Sequence, residues 1–345
     1  MLNSEVPTDT RSMARISLRL AAFLLPLVLA WAAIEWWSAK VPTTYSTKRE
    51  RLNALSDRID TLILGSSSAF FGIAPKLLSG TAFNLADVSQ TLYYDDQLLS
   101  QVLPQLPHLR RVIVPIQYVS LSFELNDSFE PWRQYFYEQA WGIPPMEFKE
   151  RMDIRMWSRV ALFTPREAFA MRPSLRGLAR GALVLPTAPA IMDDHGWFDK
   201  VSTDNDPARL NAAAGARRLA QHHTKEMNAR YEEANLAYLT HIVSLLHEHH
   251  VECVLITLPV WKTYRDGMRA DLWNETQRHI QDLVKTWGVQ YLSFLDLPEM
   301  EEGDFLDVDH LNTRGAVRFT KILNAELQRT AGPSAAPAPQ SASPQ

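Results

Sequence analysis

The order of apolar and polar positions predicts alternating strands and helices in the first third of the chain. Three short apolar runs, DTLILG (60–65), TAFNLA (81–86) and RRVIVPIQYVSL (110–121), have the length and flanking residues of buried strands. Between the last two, SQTLYYDDQLLSQVLPQL (89–106) repeats its leucines at helical spacing. Strands that alternate with helices predict a parallel sheet covered by helices.

The pattern resumes in the last third of the chain. A long polar helical stretch over about 208–250 leads into VECVLITLP (251–259), a predicted fourth strand. A predicted helix at about 270–287 leads into VQYLSFLDL (289–297), a fifth strand. The closing segment TRGAVRFTKILNAELQRT (313–330) is an amphipathic helix. The predicted fold class is therefore α/β, in three layers around a mostly parallel five-stranded sheet.

Two segments depart from this pattern. Residues 124–208 are rich in proline, arginine and aromatic residues, which predicts an insertion within a domain at 58–330. Its aromatic run (Trp132, Tyr135, Phe136, Tyr137 and Trp141) favours a local core over a sugar-stacking surface. Residues 331–345 are Ala/Pro/Ser low complexity and are expected to be a disordered tail.

The amino-terminal segment 16–37 is apolar enough for a transmembrane helix. No residue from Leu20 to Ile34 is charged, and a spanning helix needs roughly 20 mostly apolar residues. Arginines precede the segment and tryptophans occupy its far end, as at membrane interfaces. We expect residues 1–15 to be cytoplasmic and 38–57 to form a linker with a short helix. A cleaved signal peptide ending at Ala30-Trp31-Ala32 is the competing interpretation.

Composition excludes several classes of protein. The 345 residues carry a formal net charge of -4, with no basic stripe that would indicate nucleic-acid binding. The single cysteine, Cys253, permits no internal disulfide and no CxxC metal site, and it is predicted to be a buried core residue. His222 and His223, and the histidines of LLHEHH, are predicted to lie on helix surfaces, as are Arg176 and Arg180. No metal and no cofactor is expected.

Three serines follow the first predicted strand. Gly65-Ser66-Ser67 forms a turn at the carboxyl end of this strand, the edge at which ligands bind in open α/β sheets. A serine there is a candidate nucleophile, with backbone N–H groups of the next helix available to an oxyanion. A serine hydroxyl also needs a base. Taken alone, the same turn favours an exposed serine or a helix N-cap.

A candidate base lies between the last strand and the last helix, at the same edge of the sheet. In FLDVDHLN, Asp307 and His310 are three residues apart, so a turn can bring the carboxylate to one imidazole nitrogen and leave the other free. The alternative is that Asp309 or Asn312 caps the helix and His310 is solvated.

Together the two motifs resemble the SGNH (GDSL-like) hydrolase superfamily. The resemblance covers roughly 58–122 and 250–328 and implies a flavodoxin-like α/β/α fold. It also implies that Ser67 is the nucleophile, His310 the base and Asp307 its partner. The oxyanion hole would take the N–H of Ser67, a donor after the second strand and an amide after the third. The family's usual glycine and asparagine are replaced here, by Ser89 and Gln117 respectively, and Ser120 is a weaker substitute for the amide.

With its amino-terminal helix, the chain is similar to the exported, membrane-anchored SGNH proteins of polysaccharide O-acylation and D-alanyl transfer. That similarity implies a single-pass protein of the inner membrane with its catalytic domain in the periplasm. It implies a serine esterase or O-acyltransferase acting on acyl groups, above all O-acetyl groups, of a cell-surface polysaccharide. The expected partners are this glycan and a membrane-bound O-acyltransferase. The alternative is a catalytically degenerate scaffold that binds a glycan or such a membrane partner.

Overall fold

The computed structural model describes residues 10–39, 42–162, 192–199 and 206–330. The α-helices are α1 (Thr10–Ser38), α2 (Thr44–Leu55), α3 (Ser67–Gly72), α4 (Leu92–Val102), α5 (Arg133–Trp141), α6 (Arg159–Leu162), α7 (Ala212–Gln221), α8 (Glu232–Glu248), α9 (Lys262–Arg265), α10 (Ala270–Trp287) and α11 (Thr313–Thr330). The strands are β1 (Thr61–Ile63), β2 (Ala82–Asn84), β3 (Arg111–Pro115), β4 (Glu252–Thr257) and β5 (Gln290–Ser293).

The five strands form one parallel sheet in the order β2-β1-β3-β4-β5. Strand β1 pairs on both sides, so that Leu62 lies opposite Phe83 on β2 and Val112 on β3. Every residue of β1 and β2 is buried, as expected for a sheet covered on both faces. The predicted α/β class with five parallel strands is confirmed.

Two groups of helices cover the sheet. Helix α8 packs against α4 and α10, and α11 packs against α3. The apolar face of α11 buries Phe319, Leu323 and Leu327. Phe319 meets Phe294, just after β5, with ring centroids 5.2 Å apart. This packing fixes α3 and α11, the two helices that border the candidate site.

Contacts divide the chain into two units, residues 1–42 with 151–187 and residues 43–150 with 188–345. The smaller unit contains α1, in which Met13–Ser38 is long and apolar enough to cross a membrane, and the side chains of its most apolar stretch are exposed. At 1.5 Å per residue this span measures about 39 Å, more than the roughly 30 Å of a hydrocarbon core. The apolar helix predicted at 16–37 is therefore present; Arg176, Arg180 and the tail 331–345 lie outside the described residues.

The region predicted as a linker contains α2, which belongs to the larger unit. A capping box between Thr43 and Ser46 starts this helix. Lys48 is buried, and its ammonium donates to the carbonyls of Asn84, the last residue of β2, at 2.9 Å, and of Ala86 in the loop that follows. Burial lowers the pKa of Lys48 to about 7. Helix α2 thus supports the loop that carries Ser89.

The aromatic run of the insertion lies largely in the interior of the larger unit. Tyr135, Phe136, Tyr137 and Trp141 are buried, whereas Trp132 is half-buried. The rings of Tyr94 and Tyr137 stack with centroids 3.8 Å apart. These contacts support the local-core interpretation over a sugar-binding surface.

Candidate active site

Ser67 begins α3 immediately after the turn that ends β1. Gly65 in this turn has φ +108°, a conformation that side chains disfavour, and a Cβ there would lie 2.9 Å from Cγ of Pro115 on β3. The N–H of Gly65 donates to Oδ1 of buried Asp95 at 2.9 Å. Burial raises the pKa of this carboxyl to about 7, against the hydrogen bonds from Gln90 and Gly65. The turn is therefore held from two sides, and Ser67 lines a cavity at the carboxyl edge of the sheet.

The structure brings Ser67, His310 and Asp307 into one hydrogen-bonded chain. Ser67 Oγ lies 2.8 Å from His310 Nε2, and His310 Nδ1 lies 2.9 Å from Asp307 Oδ1. The edge of the imidazole meets the ring of Phe71 on α3, with centroids 5.7 Å apart. This geometry allows His310 to exchange a proton with Ser67 while Asp307 orients its ring.

The loop that carries His310 is fixed by its own hydrogen bonds. Asp307 Oδ1 accepts from the N–H groups of Asp309, at 3.1 Å, and His310, at 2.9 Å. The side chain of buried Asn312 donates to the Gly303 carbonyl at 2.8 Å and accepts from the Gly315 N–H at 3.0 Å. Asn312 therefore caps α11, as its residue type allowed, while His310 faces the serine.

A second carboxylate, Asp309, approaches the same imidazole. Its Oδ1 lies 3.4 Å from His310 Nδ1, and its Oδ2 accepts from Arg218 Nε at 2.8 Å. Arg218, on α7, also reaches Glu226 at 3.2 Å. Sequence reasoning treated Asp309 only as a possible cap and did not identify Arg218 or Glu226 as parts of the site.

These two carboxylates control the charge of His310. Burial alone would lower the pKa of His310, but the attraction of Asp307 and then Asp309 raises it to about 10. Burial alone would raise the pKa of Asp309. The contacts with His310 and Arg218 outweigh this effect and hold the carboxyl pKa well below its usual range. Both carboxylates therefore favour the imidazolium form of His310, and its basic form increases as the pH rises.

The prediction that His222 lies on a helix surface is wrong. The predicted helical stretch at 208–250 divides into α7 and α8 around a π-helical turn, His222–Glu226, which places the ring of His222 in the interior. Its Nδ1 lies 2.7 Å from the Tyr264 hydroxyl, and its Nε2 lies 3.3 Å from Glu226. Burial lowers the pKa of His222 to about 3, so the ring is neutral. The neighbouring His223, half-buried, contacts the Tyr118 hydroxyl at 2.8 Å.

The predicted oxyanion residues Ser89 and Gln117 line the same cavity as Ser67. Ser89 has φ +57°, a left-handed conformation that favours glycine. Both amide atoms of Gln117 are buried and make no hydrogen bond within the described part of the chain. Ser120, by contrast, already accepts the backbone N–H of Gln117 at 2.8 Å. Among the described residues, the backbone N–H groups of Ser67 and Ser89 are likewise without a hydrogen-bond partner.

The cavity has a volume of about 250 Å³. Its apolar part includes Phe71, Val88 and Phe129, and its polar part includes the serine turn, Gln117 and the Arg218 cluster. The ligand atoms of Asp307, Asp309 and His310 lie within 4.8 Å of one another, close enough to hold a metal. In the structure Asp307 Oδ1 forms the hydrogen bond that orients the imidazole, and Asp309 Oδ1 lies 3.4 Å from the same ring nitrogen.

No protein-family model and no curated protein matches the sequence. Solved structures that are similar include a provisionally named platelet activating factor from Streptococcus pneumoniae, at 13% identity over 89% of this chain and 99% of that one, with a TM-score of 0.38. A provisionally named acylhydrolase from Bacteroides fragilis is similar at 10% identity over 81% and 94%, with a TM-score of 0.38. A lipase/acylhydrolase from Enterococcus faecalis is similar at 10% identity over 79% and 96%, with a TM-score of 0.34.

At these identities and TM-scores the likeness carries no functional inference. The fold itself has the features that the SGNH resemblance implied. The sheet is parallel, in the order β2-β1-β3-β4-β5, the serine turn follows β1, and the histidine precedes the final helix.

Proposed function

We propose that the larger unit is a serine esterase or O-acyltransferase with Ser67 as nucleophile, His310 as base and Asp307 as its orienting partner. The observation that carries this proposal is the continuous chain of hydrogen bonds Ser67–His310–Asp307, 2.8 Å and 2.9 Å long, at the wall of a cavity. A hydroxyl, an imidazole and a carboxylate in this order are the groups that acyl transfer through a serine needs.

In the proposed reaction, Ser67 Oγ attacks the carbonyl carbon of an acyl ester while His310 Nε2 takes the hydroxyl proton. The carbonyl oxygen becomes an oxyanion, which the N–H groups of Ser67 and Ser89 and the amide of Gln117 stabilise. The tetrahedral intermediate collapses to the acyl-enzyme, and His310 returns the proton to the departing alcohol. An acceptor hydroxyl or water then attacks the acyl-enzyme by the same steps in reverse.

The cavity and α1 support a proposal for the acyl group and its carrier. A volume of about 250 Å³ favours a short acyl group, such as acetyl, over a long lipid chain. The apolar helix α1 supports a single-pass membrane anchor, and the proposed substrate is then an O-acylated cell-surface polysaccharide outside the inner membrane. A membrane-bound O-acyltransferase is the proposed partner that supplies the acyl group.

Labelling with a fluorophosphonate probe tests the nucleophile. The full-length protein is expected to react, Ser67→Ala is expected to lose labelling, and Ser66→Ala, in the same turn, is expected to keep it. Incubation with an acetylated glycan and an acceptor oligosaccharide separates transfer from hydrolysis. Absence of labelling in folded protein between pH 7 and 10 contradicts the esterase proposal.

A scaffold that binds a glycan or a membrane partner is the second candidate. The upward shift of the His310 pKa favours it, because the two carboxylates stabilise the imidazolium over the basic form that would activate Ser67. The pH dependence of labelling discriminates between the two candidates. An enzyme labels faster as the pH rises toward 10, whereas a scaffold remains unlabelled throughout.

A further inference from the structure

The smaller unit exposes three large apolar side chains within six residues. Met152, Ile154 and Trp157 are 68%, 61% and 70% exposed, while their neighbour Met156 is buried. Scattered exposed apolar residues are normal on a protein surface, but a cluster of this kind marks a surface that contacts something apolar.

This cluster is attached to the carboxyl end of α1. The backbone N–H of Val160 donates to the Glu35 carboxylate, at 3.2 and 3.3 Å from its two oxygens, and Arg159 donates to the Ser38 carbonyl at 3.4 Å. Helix α6 also packs against α1. Glu35 is the first charged residue after the uncharged run from Leu20 to Ile34. The cluster is therefore held near Glu35, at the end of the uncharged run of α1.

The residues at this level have the character of a membrane interface. Trp31 and Trp36 of α1 are exposed, as is Trp157, and tryptophan concentrates where hydrocarbon meets headgroups. Basic residues Arg151, Arg155 and Arg159 are interleaved with the apolar ones. Apolar and aromatic side chains mixed with arginine are typical of segments that lie in the plane of an anionic bilayer.

We propose that Met152, Ile154 and Trp157 insert into the headgroup region of the bilayer that α1 crosses. The segment then forms a second membrane contact, parallel to the surface, beside the transmembrane helix. This inference rests on the proposed membrane insertion of α1. It commits to lipid as the occupant because α6, which directly follows and packs against the cluster, is bonded to Glu35 and Ser38 at the end of the apolar run of α1.

Site-specific fluorescence in lipid nanodiscs tests this contact. The native thiol of Cys253 is buried, and burial raises its pKa to about 12, so an introduced cysteine is the reactive one. Full-length Ile154→Cys carries a nitrobenzoxadiazole label in nanodiscs of phosphatidylethanolamine and phosphatidylglycerol. We expect a blue-shifted emission and quenching of about twofold by a nitroxide placed near the lipid carbonyls. A nitroxide near the terminal methyl groups is expected to quench it less.

Two matched positions make the outcomes separable. A label at Leu27→Cys, within α1, is expected to be quenched by the deep nitroxide, and a label at Arg278→Cys, exposed on α10, is expected to be quenched by neither. Quenching at Leu27 without quenching at Ile154 overturns the proposed contact and leaves the anchor intact. Absence of quenching at both overturns the contact and the anchor together. A blue-shifted emission of the label at position 154 in native membranes but not in lipid nanodiscs also overturns the proposed lipid contact, and it identifies a protein partner instead.

Discussion

His310 lies between two carboxylates, with its Nδ1 2.9 Å from Asp307 and 3.4 Å from Asp309. The first carboxylate also accepts the backbone N–H groups of its own loop, whereas the second is bound to Arg218. In the proposed mechanism Asp307 orients the imidazole and makes the larger contribution to its raised proton affinity, and Asp309 adds a second, smaller contribution.

Replacement of Asp309 by asparagine is expected to lower the pKa of His310, because one of the two charges that stabilise the imidazolium is removed. The basic form then appears at lower pH, so the rise of kcat/KM with pH shifts downward by about one unit. The measurement is the pH–rate profile for hydrolysis of an activated acetyl ester. Asp57→Asn, at an exposed carboxylate of the larger unit, is the control, and an unchanged profile in D309N would contradict the assignment.

Replacement of Asp307 by asparagine is expected to reduce the rate of hydrolysis by about 10³–10⁴-fold, because the imidazole loses the partner that fixes its tautomer. The loop should keep its shape, since the asparagine oxygen can still accept the N–H groups of Asp309 and His310. Circular dichroism and thermal unfolding check the fold, and steady-state kinetics check the rate. A tenfold loss or less would assign the orienting function to Asp309 instead.

Removal of the Gln117 amide by Gln117→Ala is expected to lower kcat by about 100-fold with little change in KM, because a donor to the oxyanion acts mainly in the transition state. Gln105→Ala, at an exposed amide remote from the cavity, serves as the control. A 100-fold rise in KM at unchanged kcat would instead indicate that Gln117 binds the substrate and not the oxyanion.

Substitution of Gly65 by alanine is expected to destabilise the protein by about 1–3 kcal/mol, because the new Cβ needs a disfavoured φ and lies 2.9 Å from Pro115. Gly142→Ala is the matched control, since Gly142 also has a positive φ, +70°, but open space around its Cβ. Urea unfolding measures both variants. Equal destabilisation would mean that the backbone conformation alone, and not contact with β3, requires glycine at position 65.

The fold and the meeting of the serine turn with Asp307 and His310 could be predicted because they follow local rules, whereas the SGNH resemblance singles out Ser67 among the three serines. Parallel strands place their carboxyl ends at one edge, so a serine after the first strand and a histidine before the last helix meet there. Gly65 is also visible in the sequence as the residue that ends the first apolar run.

The electrostatic surroundings of His310 could not be predicted in the same way. Arg218 and His222 enter the site because a π-helical turn at His222–Glu226 alters the register of a helical segment. A π-helical turn contains one more residue than an α-helical turn. This stretch is polar, so it has too few apolar positions for the change in spacing to be detected in the sequence. The burial of Gln117 likewise depends on tertiary packing around the end of β3, which the strand pattern does not encode.

Ser67 and His310 are 243 residues apart in the chain. A chain that emerges from its amino terminus therefore presents the proposed nucleophile long before its base exists. Molecules that are truncated or still being synthesised contain a serine that nothing activates, so the order of synthesis itself would protect neighbouring esters from an unfinished enzyme. In the proposed mechanism, catalysis becomes possible only once the segment before α11, which packs against α3, has reached the serine turn.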